Sequence, residues 1–291
     1  MKLIDRLVNG CDEEQPLPAT RGKALFFYGK ENFGGLVRSS LAGALFFLPA
    51  LFWLYAQHYA EARAVAALDA TLSDYGQTLL LTERSFAFAT YGVLTVLLAV
   101  FFVGLAGCFS FAKRVAVGEN ARFCHFWIGI RENGLRFFFF GLLFGLTLWV
   151  TQTNRLTYHG QKGFLPILSV TVAVVLFALV ALLLMHCAAQ TVIYRVGIKQ
   201  LIKNASLLSF GYFFRGIGAL LLVGLPAVIV LLIPSPFQLL GFAVLAAFYT
   251  GYGSFFVVNT CLAVYDKTIN PRLGDAYVGR GLARKSDVSC D

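Results

Sequence analysis

The chain has 291 residues, of which 58% are hydrophobic and 13% charged, with a formal net charge of +9. A soluble domain carries about 25% charged residues, and the apolar residues here gather into long uncharged runs, which excludes a water-soluble globule and indicates a polytopic membrane protein. The basic residues sit in the gaps between those runs rather than interleaved with aromatics on a soluble face, so nucleic acid is set aside as a partner in favour of topology and contact with anionic lipid.

Residues 1–38 are polar and mixed in charge, lack the apolar core of a cleavable signal, and are predicted to form a cytoplasmic segment. A crossing needs about 20 mostly apolar residues. Residues 39–60 and 85–112 are uncharged and read as spans one and two. Residues 137–154 are fewer, but Phe137, Phe138, Phe139, Phe140 and Trp149 make them span three. The uncharged stretch 163–194 holds span four, at about 165–190. Residues 216–265 carry no charge and are too many for one crossing. Pro234-Ser235-Pro236 interrupts them, and proline removes a donor and clashes with the preceding turn, which predicts a tight hairpin of spans 216–233 and 237–263. Pro49 and Pro226 predict kinks in spans one and five, tolerated where neighbouring helices satisfy the freed carbonyls. The expected architecture is all-α: a transmembrane domain over 39–265, six helices arranged as three hairpins, and a cytoplasmic tail over 266–291.

Orientation follows from the loops. The segments before span one, between spans two and three, between spans four and five, and after span six hold twenty Lys and Arg; the opposite loops hold four, Arg63, Arg84, Arg155 and Lys162. The positive-inside rule then places both termini in the cytoplasm. The one sizeable outer segment, about 61–84, is mixed in character, mildly helical in pattern (Ala64, Leu68, Leu72) and too short for a domain.

Two inner segments have helical periodicity. Phe123, Phe126, Trp127 and Ile130 recur at i, i+3, i+4 and i+7. Ile198, Leu201, Ile202, Ala205 and Leu208 share a stripe, with Lys199 and Lys203 off it. Each reads as a short helix in the cytoplasmic interface ahead of the next span. Aromatic and glycine-bearing elbows recur at Asn32-Phe33-Gly34-Gly35, at Asn133-Gly134-Leu135-Arg136 and at Phe210-Gly211-Tyr212-Phe213-Phe214-Arg215-Gly216, a weak repeat of three hairpins. The middle elbow comprises Phe123, Phe126, Trp127, Ile130, Arg131 and Asn133.

Chemistry-bearing patterns are sparse. The spans contain no Asp, Glu, Lys or Arg, whereas an ion-coupled transporter ordinarily carries ionisable groups there. His186 and Asn259, near the inner ends of spans four and six, are the notable polar side chains, read as interhelical hydrogen bonds or as the lining of a small polar pocket. His58, His125, His159 and His186 lie on different segments without a metal or triad spacing. Gly104-Leu105-Ala106-Gly107 lacks the Lys and strand of a phosphate loop, and Gly251-Tyr252-Gly253-Ser254 suits close helix packing. Cys11, Cys108, Cys124, Cys187, Cys261 and Cys290 form no CxxC pair. Cys108, Cys187 and Cys261 fall near inner helix ends, as small apolar side chains or, less commonly, a three-thiol site. No catalytic residue, cofactor site or metal site is expected.

Several strings carry a family resemblance: Asp12-Glu13-Glu14-Gln15-Pro16-Leu17-Pro18, Lys23-Ala24-Leu25-Phe26-Phe27, Ala112-Lys113-Arg114-Val115-Ala116-Val117-Gly118-Glu119, Phe126-Trp127-Ile128-Gly129-Ile130-Arg131-Glu132-Asn133, and Asn259 followed by Tyr265-Asp266-Lys267. Their order resembles the YesL-like family of bacterial integral membrane proteins (domain-of-unknown-function family 624), of the longer Gram-positive type. The resemblance covers roughly residues 16–267 and brings no catalytic or binding residues with it. It implies a bacterial plasma-membrane protein associated with carbohydrate uptake. On that footing the chain is expected to be a non-enzymatic accessory or regulatory component whose partners are anionic lipid and either transporter components or further copies of itself. The alternatives are a small solute permease and, less favoured, a membrane enzyme acting on lipid-linked substrates.

Overall fold

A computed structural model describes residues 17–68, 74–158, 161, 163–194, 196–233 and 235–283. The Asp12-to-Pro16 string, Cys11, Cys290, His159, Lys162, Pro234 and the end of the tail lie outside the described residues. The described residues form helices α1 (Arg21–Glu31), α2 (Phe33–Ala66), α3 (Tyr75–Ala116), α4 (Cys124–Thr157), α5 (Phe164–Ile193), α6 (Ile198–Gly211), α7 (Phe213–Leu231), α8 (Ser235–Thr268) and α9 (Asn270–Leu273), then a 3₁₀ turn at Asp275–Tyr277. Six of them, α2, α3, α4, α5, α7 and α8, are long and apolar enough to cross a membrane. The protein is therefore an all-α polytopic membrane protein.

The helices overrun the bilayer. α2 has 34 residues and α3 has 42, about 50 and 60 Å at about 1.5 Å per residue, against about 30 Å of hydrocarbon. The outer segment expected over 61–84 is accordingly mostly helix: α2 continues to Ala66 and α3 starts at Tyr75. The helices also run through Pro49 and Pro226 without ending. α7 stops at Leu231 and α8 begins at Ser235, where the Pro-Ser-Pro break stands.

The two expected interfacial helices turn out differently. α6 is a separate 14-residue helix. The segment from Cys124 onward is instead the first turns of α4, continuous through the elbow at Asn133-Gly134. Packing explains the continuity. Phe126 is fully buried, and Gly129 lies so close to α3 that a Cβ there would meet Ser110 Cβ at 2.3 Å. These contacts align residues 124–133 with the rest of α4 along α3. The one-residue elbows that remain are Asn32, between α1 and α2, and Tyr212, between α6 and α7.

α3 and α4 make the most extensive pairing, with α2 and α8 packed on α3. Small residues allow it. A Cβ at Gly141 would meet Ala99 Cα at 2.7 Å, and one at Gly145 would meet Thr95 Cα at 2.7 Å, the small-xxx-small geometry that lets backbones approach in lipid. α8 approaches α2 through Gly251, whose N–H donates to Ser40 Oγ at 2.7 Å, while Ser40 donates to Phe248 O at 3.1 Å. α5 follows α4, tied by Asn154 Nδ2 to Ser169 O (3.0 Å) and by Ser169 Oγ to Asn154 Oδ1 (3.1 Å). α7 follows α8 and meets α5 at Gly216, against Leu182 and Met185.

Candidate functional site

One end of the bundle gathers α1, the last turns of α3, α5 and α8, the start of α4, α6 and the segment after α8. It carries most of the described Lys and Arg, and is called the basic end below. The strongest polar side chains of the described chain meet here.

Asp266 is the hub. It is the first charged residue after the uncharged run 216–265, and it sits on the last turn of α8. Its Oδ2 accepts from Arg21 Nε at 2.9 Å, and its Oδ1 accepts from Asn270 Nδ2 at 2.7 Å and from Gly279 N–H at 3.1 Å. The Arg21 and Asp266 side chains are only 7% and 14% exposed. A buried ion pair holds only when further hydrogen bonds offset desolvation, and Arg21 supplies one by donating from Nη1 to Ala116 O at 3.0 Å. Arg21 can reach there because Thr20 caps α1, accepting from Lys23 N–H at 3.3 Å.

Tyr28 lies two turns on from Arg21, on the same face of α1. Its hydroxyl donates to Gly281 O at 2.9 Å. α3 ends beneath it at Gly118 (φ +71), with Glu119 N–H donating to Arg114 O at 2.9 Å, a helix stop that uses the left-handed conformation glycine adopts freely. A Cβ at Gly118 would also meet the Tyr28 hydroxyl at 2.6 Å. Burial raises the Tyr28 phenol above its ordinary pKa, Glu31 adds to the rise, and Arg21 opposes it. The Tyr194 phenol is raised too, by burial first and then by Asp266; it donates to Asn270 Oδ1. Ala283 N–H donates to Pro18 O at 3.2 Å. Arg21, Tyr28, Asp266 and Asn270 thus clasp the segment before α2 to the segment after α8.

His186 and Asn259 are both buried here but do not meet. Asn259 Nδ2 donates to Arg21 O at 2.8 Å. His186 Nδ1 lies 3.4 Å from the Tyr265 hydroxyl and 3.8 Å from Cys261 Sγ, and the Tyr265 hydroxyl donates to His186 O at 3.3 Å. Both residues join helices, and neither lines the cavity described below. Cys108 donates to Ser39 O, Cys187 packs with Leu201 and Ala205 of α6, and Cys261 faces His186, so the three thiols occupy separate surroundings. Among the described residues no group of three metal-ligating side chains comes together.

Of the elbow residues, Phe126 is buried against Ala42 and Cys108, Ile130 and Asn133 are partly buried, and Phe123, Trp127 and Arg131 are exposed. Arg136 reaches across to Val196 O at 3.3 Å, pinning the approach to α6. On α6, Leu201, Ala205 and Leu208 are buried while Ile198, Ile202, Leu207 and Phe210 are exposed beside Lys199 and Lys203.

Deeper in the bundle lies a cavity of about 410 Å³. Its walls come from α2, α3, α4, α5, α7 and α8 and are nearly all hydrocarbon or phenyl, with Phe102, Phe137, Phe144 and Phe242 among them. Tyr249, Thr250 and Ser254 also line it, but their hydroxyls already donate to Leu222 O (3.4 Å), Ala246 O (2.6 Å) and Thr250 O (2.8 Å).

Arg21 and Asp266 do not stand out in the sequence: they are 245 positions apart, and each reads as an ordinary loop charge. The one hint is that Asp266 directly closes a fifty-residue stretch without charge. No family model, no curated protein and no solved structure matches the chain.

Proposed function

We propose that the protein is a non-enzymatic accessory component of a bacterial plasma membrane, working beside carbohydrate uptake, with both termini in the cytoplasm. The observation that carries this reading is the basic end itself. There Arg21, Tyr28, Asp266 and Asn270 are engaged with one another and with backbone carbonyls, which supports a firm platform. Beside it, α6 presents exposed apolar residues together with Lys199 and Lys203, the composition of a surface that meets anionic headgroups or a membrane partner. The family resemblance adds the carbohydrate context.

The test is affinity capture of the full-length protein from mild detergent after crosslinking in native membranes. Recovery of a sugar-transporter subunit, lost on Lys199→Glu plus Lys203→Glu, supports the reading; recovery of the chain alone overturns it. A permease is the second reading, with His186 and Asn259 as its polar groups. The cavity argues against it, because a sugar entering those walls would give up its water for at most the acceptor lone pairs of Tyr249, Thr250 and Ser254. Solute uptake by reconstituted vesicles that falls on His186→Ala or Asn259→Ala would restore it.

A further inference from the structure

We infer that the cavity at the centre of the bundle is a binding site for a single acyl chain of a bilayer phospholipid, entering sideways between α5 and α7. The inference does not depend on the accessory role.

Volume and wall chemistry select the occupant. At about 30 Å³ for a water-sized group, 410 Å³ holds about a dozen methylenes, most of one acyl chain. A transmembrane helix, about 10 Å across, is far too wide for it, so neither a second copy nor a partner helix enters. Water has little to bond to, because the Tyr249, Thr250 and Ser254 hydroxyls each spend their one donor on a backbone carbonyl and the rest of the wall is apolar, so hydrocarbon competes well for the space. A void left unfilled forfeits packing in proportion to its volume. The medium around these helices is itself hydrocarbon, and a chain from it fills the space without desolvating any polar group.

The access route follows from how the walls are held. Leu184 and Met185 of α5 form one side, and Leu220, Val223 and Ala227 of α7 form the other. The two helices touch at Gly216, toward the basic end, where a Cβ would meet Leu182 Cδ1 at 2.2 Å. Farther from that end α5 stays with α4, through Phe144 against Phe177 and the Asn154–Ser169 pair, and its Val172, Val174, Val175 and Leu176 are exposed. α7 stays with α8, where the Tyr249 hydroxyl donates to Leu222 O at 3.4 Å. The two walls thus belong to separate hairpins joined at one end, and the opening between them faces the lipid.

The experiment reconstitutes the full chain in vesicles of phosphatidylcholine containing a phosphatidylcholine with a mid-chain diazirine, photolyses them, and maps the adducts by peptide mass spectrometry. Adducts should concentrate on wall residues such as Ala227, Phe242 and Val257. Ala227→Trp, which fills the cavity from α7, should lower them about fivefold; Ala181→Leu, a smaller filler from α5, should lower them less. Leu222→Trp puts the same indole on the outer face of α7 and should leave them unchanged. Thermal unfolding in detergent confirms that each variant folds, and if Ala227→Trp does not, Ala181→Leu carries the comparison. Adducts spread evenly over outward residues such as Leu221, Val228 and Phe248, or cavity adducts indifferent to both fillers, overturn the site.

Discussion

α1 and α6 enter their spans alike, each a short helix joined to a long one by a single-residue elbow, Asn32 or Tyr212, yet they are held by opposite means. α1 is fastened by charge and hydrogen bonds: Arg21 to Asp266, Tyr28 to Gly281, and Asn259 to the Arg21 carbonyl. α6 is fastened by hydrocarbon: Leu201 and Ala205 pack with Cys187, while its lysines stay in the open. A buried ionic contact is directional and fails as a unit when one partner goes. An apolar contact is graded, and the lipid that competes for it is as apolar as leucine. α1 should therefore behave as a closed clasp and α6 as an adjustable float.

The largest effect should come from breaking the clasp on one side. Asp266→Ala or Arg21→Ala should each cost about 3–5 kcal/mol, read as a lowered thermal transition in detergent, whereas Arg21→Met with Asp266→Leu should lose much less, since no unpaired buried charge remains. If the double variant is as damaged as either single one, the clasp is not held by the pair. Next, Leu201→Ala should cost about 2–3 kcal/mol but act locally: hydrogen exchange should rise across α6 and not across α1. Smaller again, Lys199→Gln and Lys203→Gln should leave the thermal transition in place and weaken preference for spin-labelled anionic lipid by about 1 kcal/mol per lysine.

The smallest is alkaline. The folded chain raises the Tyr28 pKa above 10.0, so it holds that proton more tightly than the unfolded chain does. The resulting stability is complete below the unfolded pKa and disappears as pH rises through the folded one. Tyr28→Phe should lower stability by about 1 kcal/mol near neutrality and flatten the decline above pH 10, as followed by thermal unfolding.

The parts legible in sequence are those governed by solvent. Long uncharged runs mark the six helices because lipid leaves no other place for them, and Pro234-Ser235-Pro236 marks the α7–α8 break because proline has no donor to give. The stripe of Leu201, Ala205 and Leu208 likewise foretells α6. Residues 119–130 show the limit of periodicity. The same spacing that predicts a separate helix is equally what the first turns of α4 need, and only the fit of Phe126 and Gly129 against α3 decides between them. The outer segment 61–84 shows its helical pattern in sequence, but not how far the flanking spans extend into it: charge ends a span, but it does not end a helix. Helix packing itself is half visible. Gly251 stands out beside Ser254, while Gly141 and Gly145 pass among phenylalanines although they sit in the most extensive helix pair among the described residues. The clasp is the least visible, since pairing between positions 21 and 266 leaves no local trace.

That pairing imposes an order of assembly. Ribosomes make Arg21 245 residues before Asp266, so until Asp266 emerges the guanidinium lacks the carboxylate it pairs with and α1 lacks its seal. Spans can insert one hairpin at a time, but closure waits for α8 and for the glycine turn that brings residue 281 under Tyr28. A chain cut short before that turn would hold its crossings and lack its fastener, leaving a newborn membrane protein recognisable to quality control by one loose helix.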